Sequence, residues 1–464
     1  MKAFHIIAQR FYPSLVLMMA LVAASHAPAA LAKGNFAMPT DPAPSGGGLA
    51  APDTPTGGNF ASSPAPDGGG LAAPDTPTGG NFASSPPTDG GGLAAPPGTP
   101  TGGNFAPLPP PAEGNFYQLG YISDGASLSG FPPPAKIDRN LINPWGLAFN
   151  PFGPVWVANN GSGVSTLYDG FGNPQPLVVQ IPSPGSGAGG GNPTGIVYNG
   201  SASGFMVSKG TISGPSRFIF ATEDGVIAGW SPNVDQTHAI RVIDNSRSTG
   251  AVYKGLAISG SGRGGLIYAT DFRNRKIDVF DSSFRPVTLP EGVFTDPAVP
   301  SIGAPFGIQA INGNIYVTYA KQAPNLRDDE KGEGLGLINV FTPNGVLLKR
   351  IVAVESAARQ RLNAPWGMAL APAGFGKFSN RLLVGNFGDG NINAFDLTTG
   401  EFAGQLEAAN GDPIQIDGLW GLAFGNGFLN QPVNTLFFTA GPGNEQHGVY
   451  GRLDVQSHNN LHRR

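Results

Sequence analysis

The chain has 464 residues, a formal net charge of −4, no cysteine, and only 12% charged residues beside 70 glycines and 45 prolines. A mildly acidic balance without a basic cluster excludes nucleic acid and anionic lipid as expected partners. The absence of thiols removes disulfides, thiolate nucleophiles and thiolate metal sites. So many turn formers leave little support for long helices.

In chain order, the first segment reads as an address. Lys2 and Arg10 precede an apolar run from Ser14 to Ala24, and Ala30-Leu31-Ala32 follows. Charge, a short apolar stretch and small residues in that order predict a signal peptide over residues 1–32. A permanent anchor needs roughly 20 apolar residues, more than this run supplies. The mature protein is expected to be periplasmic, extracellular or associated with the cell surface, with no transmembrane segment after cleavage.

Residues 33–114 cycle through Gly-Asn-Phe-Ala, a Pro/Asp/Ser patch, Gly-Gly-Gly-Leu-Ala-Ala-Pro and Thr-Pro-Thr-Gly, with Asn-Phe pairs at Phe36, Phe60, Phe82, Phe105 and Phe116. The period lies in the range of solenoids. Each unit nevertheless offers one Phe and one Leu, too little burial to offset an ordering cost of about 1–2 kcal/mol per residue. A disordered, low-complexity linker is expected.

From residue 115 to 453 one phrase recurs six times, opening as Asn143-Pro-Trp-Gly-Leu-Ala-Phe149 and again at Asn192, Val252, Ala304, Ala364 and Gly418. Each opening is followed by a near-continuous apolar run such as Val155–Ala158 or Leu382–Gly385, the mark of a strand covered on both faces. Third strands alternate, as in Ile277-Asp-Val-Phe280, Ile338-Asn-Val-Phe341 and Ile392-Asn-Ala-Phe395, which predicts one buried and one wetter face. Outer strands are expected at Pro176–Ile181, Ala239–Ile243, Val287–Leu289, Leu347–Val352 and Phe402–Leu406.

The fold class is therefore all-β, a six-bladed β-propeller. Its sixth blade runs out of chain after Leu453, and Phe116–Ile122 has the pattern to supply the missing outer strand and close the ring. Residues 454–464 are expected as a flexible tail.

Phrases such as Phe220-Ala-Thr-Glu-Asp-Gly-Val-Ile-Ala-Gly-Trp230, Gly385-Asn-Phe-Gly-Asp-Gly-Asn-Ile-Asn-Ala-Phe395 and Gly418-Leu-Trp-Gly-Leu-Ala-Phe-Gly-Asn426 resemble an uncharacterised family of exported bacterial proteins. Some of its members end in a PEP-CTERM sorting signal. The resemblance spans nearly all of Tyr117–Leu453 and implies a six-bladed ring akin to NHL-repeat propellers, with no established activity. The tail here lacks both the Pro-Glu-Pro motif and the apolar span of that signal.

Two sets of equivalent positions carry the chemistry. The residues before each opening glycine are Trp145, Thr194, Lys254, Phe306, Trp366 and Trp420. On one circle they form either a ligand-binding channel mouth, the aromatics stacking on a flat ligand and Lys254 catching an anion, or packing between blades. The ends of the second strands bring Asn159, Glu223, Asp271, Asn386 and Asp389. These are oxygen ligands of the kind Ca²⁺ takes, or residues capping their own turns. The charged run Asp328-Asp-Glu330 reads as a solvated loop or as a further source of oxygens for a cation site.

His238 and His447 are the histidines expected in the ring, and no catalytic residue is assigned. Neither glycine-rich loop, Gly185–Gly190 or Gly260–Gly265, has the strand-to-helix setting of a phosphate cradle. The favoured reading is a non-enzymatic binding module for an unknown extracytoplasmic polar ligand or protein partner, with a monomer favoured over an oligomer. A Ca²⁺-dependent hydrolase or lactonase-like enzyme, and a surface or matrix structural protein, are the alternatives.

Overall fold

Six sheets, antiparallel except where Lys136–Ile137 pairs in parallel outside Phe116–Ser123 in the sixth, are arranged as the blades of a propeller, their inner strands touching in cyclic order and the sixth lying against the first. The computed structural model describes residues 116–455 apart from 126, 186, 188, 261–263, 301, 302 and 354. The expected signal peptide, the repeat linker and most of the expected tail lie outside the described residues.

Blade 1 is built from Pro144–Phe149, Val155–Asn159, Val164–Tyr168 and Val179–Gln180. Blade 2 follows with Pro193–Tyr198, Phe218–Thr222, Val226–Trp230 and Ile240–Asp244. A hairpin, Met206–Lys209 with Ile212–Pro215, is inserted between its first two strands. Blade 3 holds Tyr253–Ser259, Leu266–Asp271 and Lys276–Asp281. The outer strand expected at Val287–Leu289 is not formed, and that segment keeps one backbone bond, from the Val287 amide to the Val279 carbonyl.

Blade 4 comprises Gly303–Ile311, Asn314–Gln322, Gly336–Phe341 and Leu347–Val352, with Asp329–Glu330 folded back onto its second strand. Blade 5 comprises Pro365–Leu370, Leu382–Asn386, Ile392–Phe395 and Phe402–Gln405. Blade 6 has Leu419–Phe424, Leu436–Ala440 and Val449–Val455, and its outer strand is Phe116–Ser123. Phe116 lies opposite Val455 and Ser123 opposite Val449, so the two ends of the domain pair as expected. The last strand runs two residues past the expected end at Leu453.

Phe116 fastens that closure. Its side chain is fully buried, with ring centroids 4.7 Å from Phe375 and 6.0 Å from Phe378.

The wetter face expected of the third strands is absent from blades 4 and 5, where every residue of the strand is buried. The alternating polar side chains are used inside instead. The Asn339 amide donates to Asp296, and the Asn393 amide to the Arg361 carbonyl, which satisfies both groups without water.

The opening glycines set how closely the blades approach the axis. A Cβ on Gly307 would lie 2.0 Å from the Trp366 carbonyl oxygen, on Gly367 2.3 Å from that of Trp420, and on Gly146 2.5 Å from that of Thr194. Gly195 and Gly421 are equally tight against Leu256 and Trp145, whereas Gly255 is looser, 3.0 Å from the Phe306 oxygen. Backbone cannot yield as a side-chain end can. Gly307→Ala and Gly367→Ala are each expected to destabilise the ring by about 2–3 kcal/mol in denaturant unfolding. Gly264→Ala, which meets open space, is expected to stay within about 0.5 kcal/mol.

Candidate functional site

Because each blade places its opening glycine against the next blade, the residue before that glycine turns into the hub. Four of the six, Trp145, Phe306, Trp366 and Trp420, come together with Phe272 and Phe387 and fill the hub rather than line an open mouth. Trp145 stacks on Trp420 at 3.5 Å between ring centroids, Phe387 stacks on the same indole at 3.9 Å, and Trp366 meets Trp145 and Trp420 edge-on. Phe306 and Phe272 complete the plug. Thr194 donates across the blade boundary to the Tyr253 carbonyl. The Trp366 indole donates to the Lys254 carbonyl and the Trp420 indole to Asn143, while the buried Trp145 nitrogen has no partner.

Lys254, 2% exposed, stands over this plug. Its Nζ lies 4.9 Å from the centre of the Trp145 ring and 2.5 Å from Glu223 Oε1. The anion it was expected to catch is thus supplied by the protein. Burial pushes the Glu223 carboxyl up, but the charges of Lys254 and Arg327 and hydrogen bonds from Lys254 and Asn160 outweigh it and hold Glu223 below its ordinary value.

A loop from blade 4, residues 323–335, reaches over the hub. Arg327 donates to the Glu223 side chain and carbonyl in blade 2, each at 3.3 Å, and lies 3.8 Å from Asp224. Lys331 sits 4.1 Å above the Phe387 ring in blade 5, and the Gly332 amide donates to Asn363. Asp329 is carried in with the loop, its Oδ2 buried and unpaired. Burial lifts its pKa to about 6, only partly countered by Lys254 and Lys331. Glu445 of blade 6, held by the Asn143 amide at 2.8 Å, and Asp224 are also raised by burial. The mouth therefore gathers three carboxyls that hold their protons more tightly than usual around one neutralised pair.

Asp329 was read from sequence as part of a solvated run, and Arg327, Asp224 and Glu445 were not singled out. The available signal was the length of one inter-strand loop, since residues 323–335 far exceed the corresponding 160–163 of blade 1.

The oxygen set expected around a cation is spread over several blades. Asn159 donates to Thr166, Asp271 accepts from the Val252 amide and from Asn274, Asn386 donates to the Arg361 carbonyl, and Asp389 accepts from the Asn391 amide. Of the five, Glu223 lies beneath the 323–335 loop, and Asp389 borders the same loop through Asn363, which accepts from the Gly332 amide, and through Glu333. Among the described residues no three His, Asp or Glu side chains converge as a metal-binding group. His447 pairs with Asp124 and His238 with Asp235.

The larger cavities lie elsewhere. A groove of about 510 Å³ runs along the rim of blades 4 and 5 beside Arg350, Arg361 and Phe402. A funnel of about 360 Å³ opens at the far end of the hub, lined by Phe149, Tyr198, Gln309 and Phe424 among others, without a charged side chain. The loop-covered mouth outranks both on chemistry, because unpaired buried polar atoms and perturbed carboxyls occur there together.

The fold and its plugged hub define a six-bladed β-propeller with a charged, loop-covered mouth. The chain belongs to the family of two uncharacterized proteins of Acanthamoeba polyphaga mimivirus. It is 35% identical to protein R648 over 323 residues, 68% of this chain and 76% of that protein. It is 37% identical to protein L690 over 292 residues, 62% and 74% of the two chains. No protein-family model matches.

Among solved structures, virginiamycin B lyase from Staphylococcus aureus aligns with 12% identity and a TM-score of 0.41, covering 74% of this chain and all of that one. A protein of unknown function from Bacteroides thetaiotaomicron aligns with 10% identity and a TM-score of 0.44 over 73% and 76%. No activity is carried across at these values.

Glu223→Gln leaves Lys254 buried without its counter-charge and is expected to cost about 3–5 kcal/mol in denaturant unfolding. Arg327→Gln, whose side chain is more than a third exposed, is expected to cost no more than about 1 kcal/mol. Asp329 has the opposite sign. Its pKa rises from 3.8 to about 6 on folding, so the stability it contributes is complete below pH 3.8 and is lost as pH rises through 6. Asp329→Asn is expected to flatten the pH dependence of Tm across that window and to be more stable than the parent at neutral pH by on the order of 2 kcal/mol.

Proposed function

We propose that this chain is a ligand-binding propeller whose recognition surface is the loop-covered mouth, and that its ligand is a small polar molecule carrying hydrogen-bond donors or positive charge. The observation that carries this reading is Asp329, whose buried oxygen has no donor and which the 323–335 loop holds next to Glu445 and the Lys254–Glu223 pair. An unpaired buried acceptor costs about 1–3 kcal/mol, and a donor brought by a ligand removes that cost. The aromatic plug supplies a rigid, dry floor beneath it, where a charge-assisted hydrogen bond is strong.

A second reading, an acid–base enzyme at the same mouth, is favoured by the same residue, since a carboxyl titrating at about 6 suits proton transfer near neutral pH. The first reading stands ahead because an acceptor without a donor calls directly for a donor-bearing ligand and needs no second reacting group. Export belongs to the proposal as well, on the strength of the charge, apolar and small-residue order in residues 1–32.

Thermal melting of the full chain with primary amines, quaternary ammonium ions, neutral polyols or carboxylates tests the binding reading, since a ligand of the native state raises Tm. Amines or polyols are expected to raise it, and Asp329→Asn to abolish the gain. Shifts produced only by carboxylates, or untouched by Asp329→Asn, would refute it. A response to Ca²⁺ and EDTA would instead favour the metal-dependent hydrolase.

A further inference from the structure

On the face opposite the charged mouth, three loops are knit together at the junction of blades 6 and 1. The Asn426 amide donates to the carbonyls of Asn150 and Gly153, the Gly170 amide donates to the Leu429 carbonyl, and Gln431 bridges Gly153 and the Val155 amide. These loops carry Phe152 at 81% exposure, Phe171 at 64%, Val433 at 57%, Phe428 at 44% and Leu429 at 40%. They make up five of the eleven exposed large apolar side chains among the described residues. Such side chains scattered singly need no explanation, but a cluster on hydrogen-bonded, fixed loops marks a contact surface.

The linker carries a fitting occupant. The linker presents Gly-Asn-Phe five times, and the last copy, Gly114-Asn-Phe116, ends in the described ring. There its Phe is fully buried between two phenylalanine rings, with its amide bonded to the Glu407 carbonyl. Phe116, the one residue of these motifs among the described residues, thus acts as an aromatic anchor for this propeller.

The chain also arrives beside the patch. Phe116 lies opposite Val455, and two residues along the same strand Leu453 lies opposite Leu436, where the 425–435 loop ends. Two strand spacings across and two residues along, about 12 Å in all, separate the positions. The preceding copy is Gly103-Asn-Phe105, and the residues between Phe105 and Phe116 span up to about 35 Å.

We propose that the exposed apolar patch at the blade 6–blade 1 junction is the seat of the preceding Gly-Asn-Phe unit of the same chain, with Phe105 packed against Phe152, Phe171 and Phe428. A short tether holds its end at a local concentration in the millimolar range, so the copy next in line outcompetes the same motif offered by a second molecule at ordinary concentrations. The linker would then leave the ring from a second anchored point, and the remaining three copies would stay available to other surfaces.

The test uses the full chain with a photo-crosslinking phenylalanine analogue at position 105, and a control with the analogue at position 60. Crosslinks from position 105 to peptides containing Phe152, Phe171 or Phe428, within one molecule and independent of protein concentration, are expected. Position 60 should give them at a far lower yield. In a second measurement, Phe105→Ala is expected to speed amide exchange of residues 426–431 by about tenfold, Phe105→Leu to restore most of the protection, and Tm to stay put. Crosslinks that form only between molecules would assign the patch to a second copy and overturn the proposal. Unchanged exchange in Phe105→Ala together with scattered crosslinks would overturn it outright.

Discussion

The structure depends on one steric constraint, the absence of a side chain at the opening glycine of every blade. With five of the six sites closer than 3.0 Å to the neighbouring inner strand, the blades can approach the axis only because nothing projects there. That approach brings hydroxyls of one blade within reach of the next. Thr270 donates to the Phe306 carbonyl and Thr439 to that of Trp145, so the carbonyls left free at the inner edges find partners in adjacent sheets. Close approach also narrows the hub until six side chains suffice to fill it.

Filling the hub moves the chemistry. In a wider ring Trp145, Trp366 and Trp420 would face solvent and offer their faces to a ligand; here those faces are used on one another. What remains for recognition is the layer above, made of the turns that follow the second strands and of the one long loop that crosses from blade 4 to blade 2. Loops tolerate change that the glycine circle does not. On the proposed binding reading, selectivity resides in residues 323–335 and their partners rather than in the repeated phrase.

This division also explains what could be read in advance. The openings, the apolar second strands and the borrowed strand at Phe116–Ile122 are properties of local pattern and repetition, and each is present. Whether Trp145 binds or packs was left open, because the answer depends on the hub radius, which several blades set jointly through contacts distant in sequence. The buried faces of Asn339 and Asn393 were missed for a related reason. Alternation shows where a polar side chain points, not whether a loop such as that around Asp296 or Arg361 has come to meet it. Val287–Leu289 has the composition of a strand but only one ladder bond. The 206–215 hairpin interrupts the repeat and had no counterpart to be aligned with.

One hub position departs from what stability alone requires. An apolar side chain of similar volume would fill the place of Lys254 without a counter-ion, and replacing a buried ion pair in this way is often neutral or stabilising. The chain instead keeps the lysine and surrounds its partner with three further donors, from Asn160 and twice from Arg327. Two of these belong to the loop above, so the buried pair couples the rigid hub to the element that covers it. A ligand that draws the loop toward itself must exchange contacts with Glu223, and through it with Lys254. The hub thereby acts as the fixed reference against which the loop's position is set. Such a local departure from the cheapest packing is expected at a site kept for recognition.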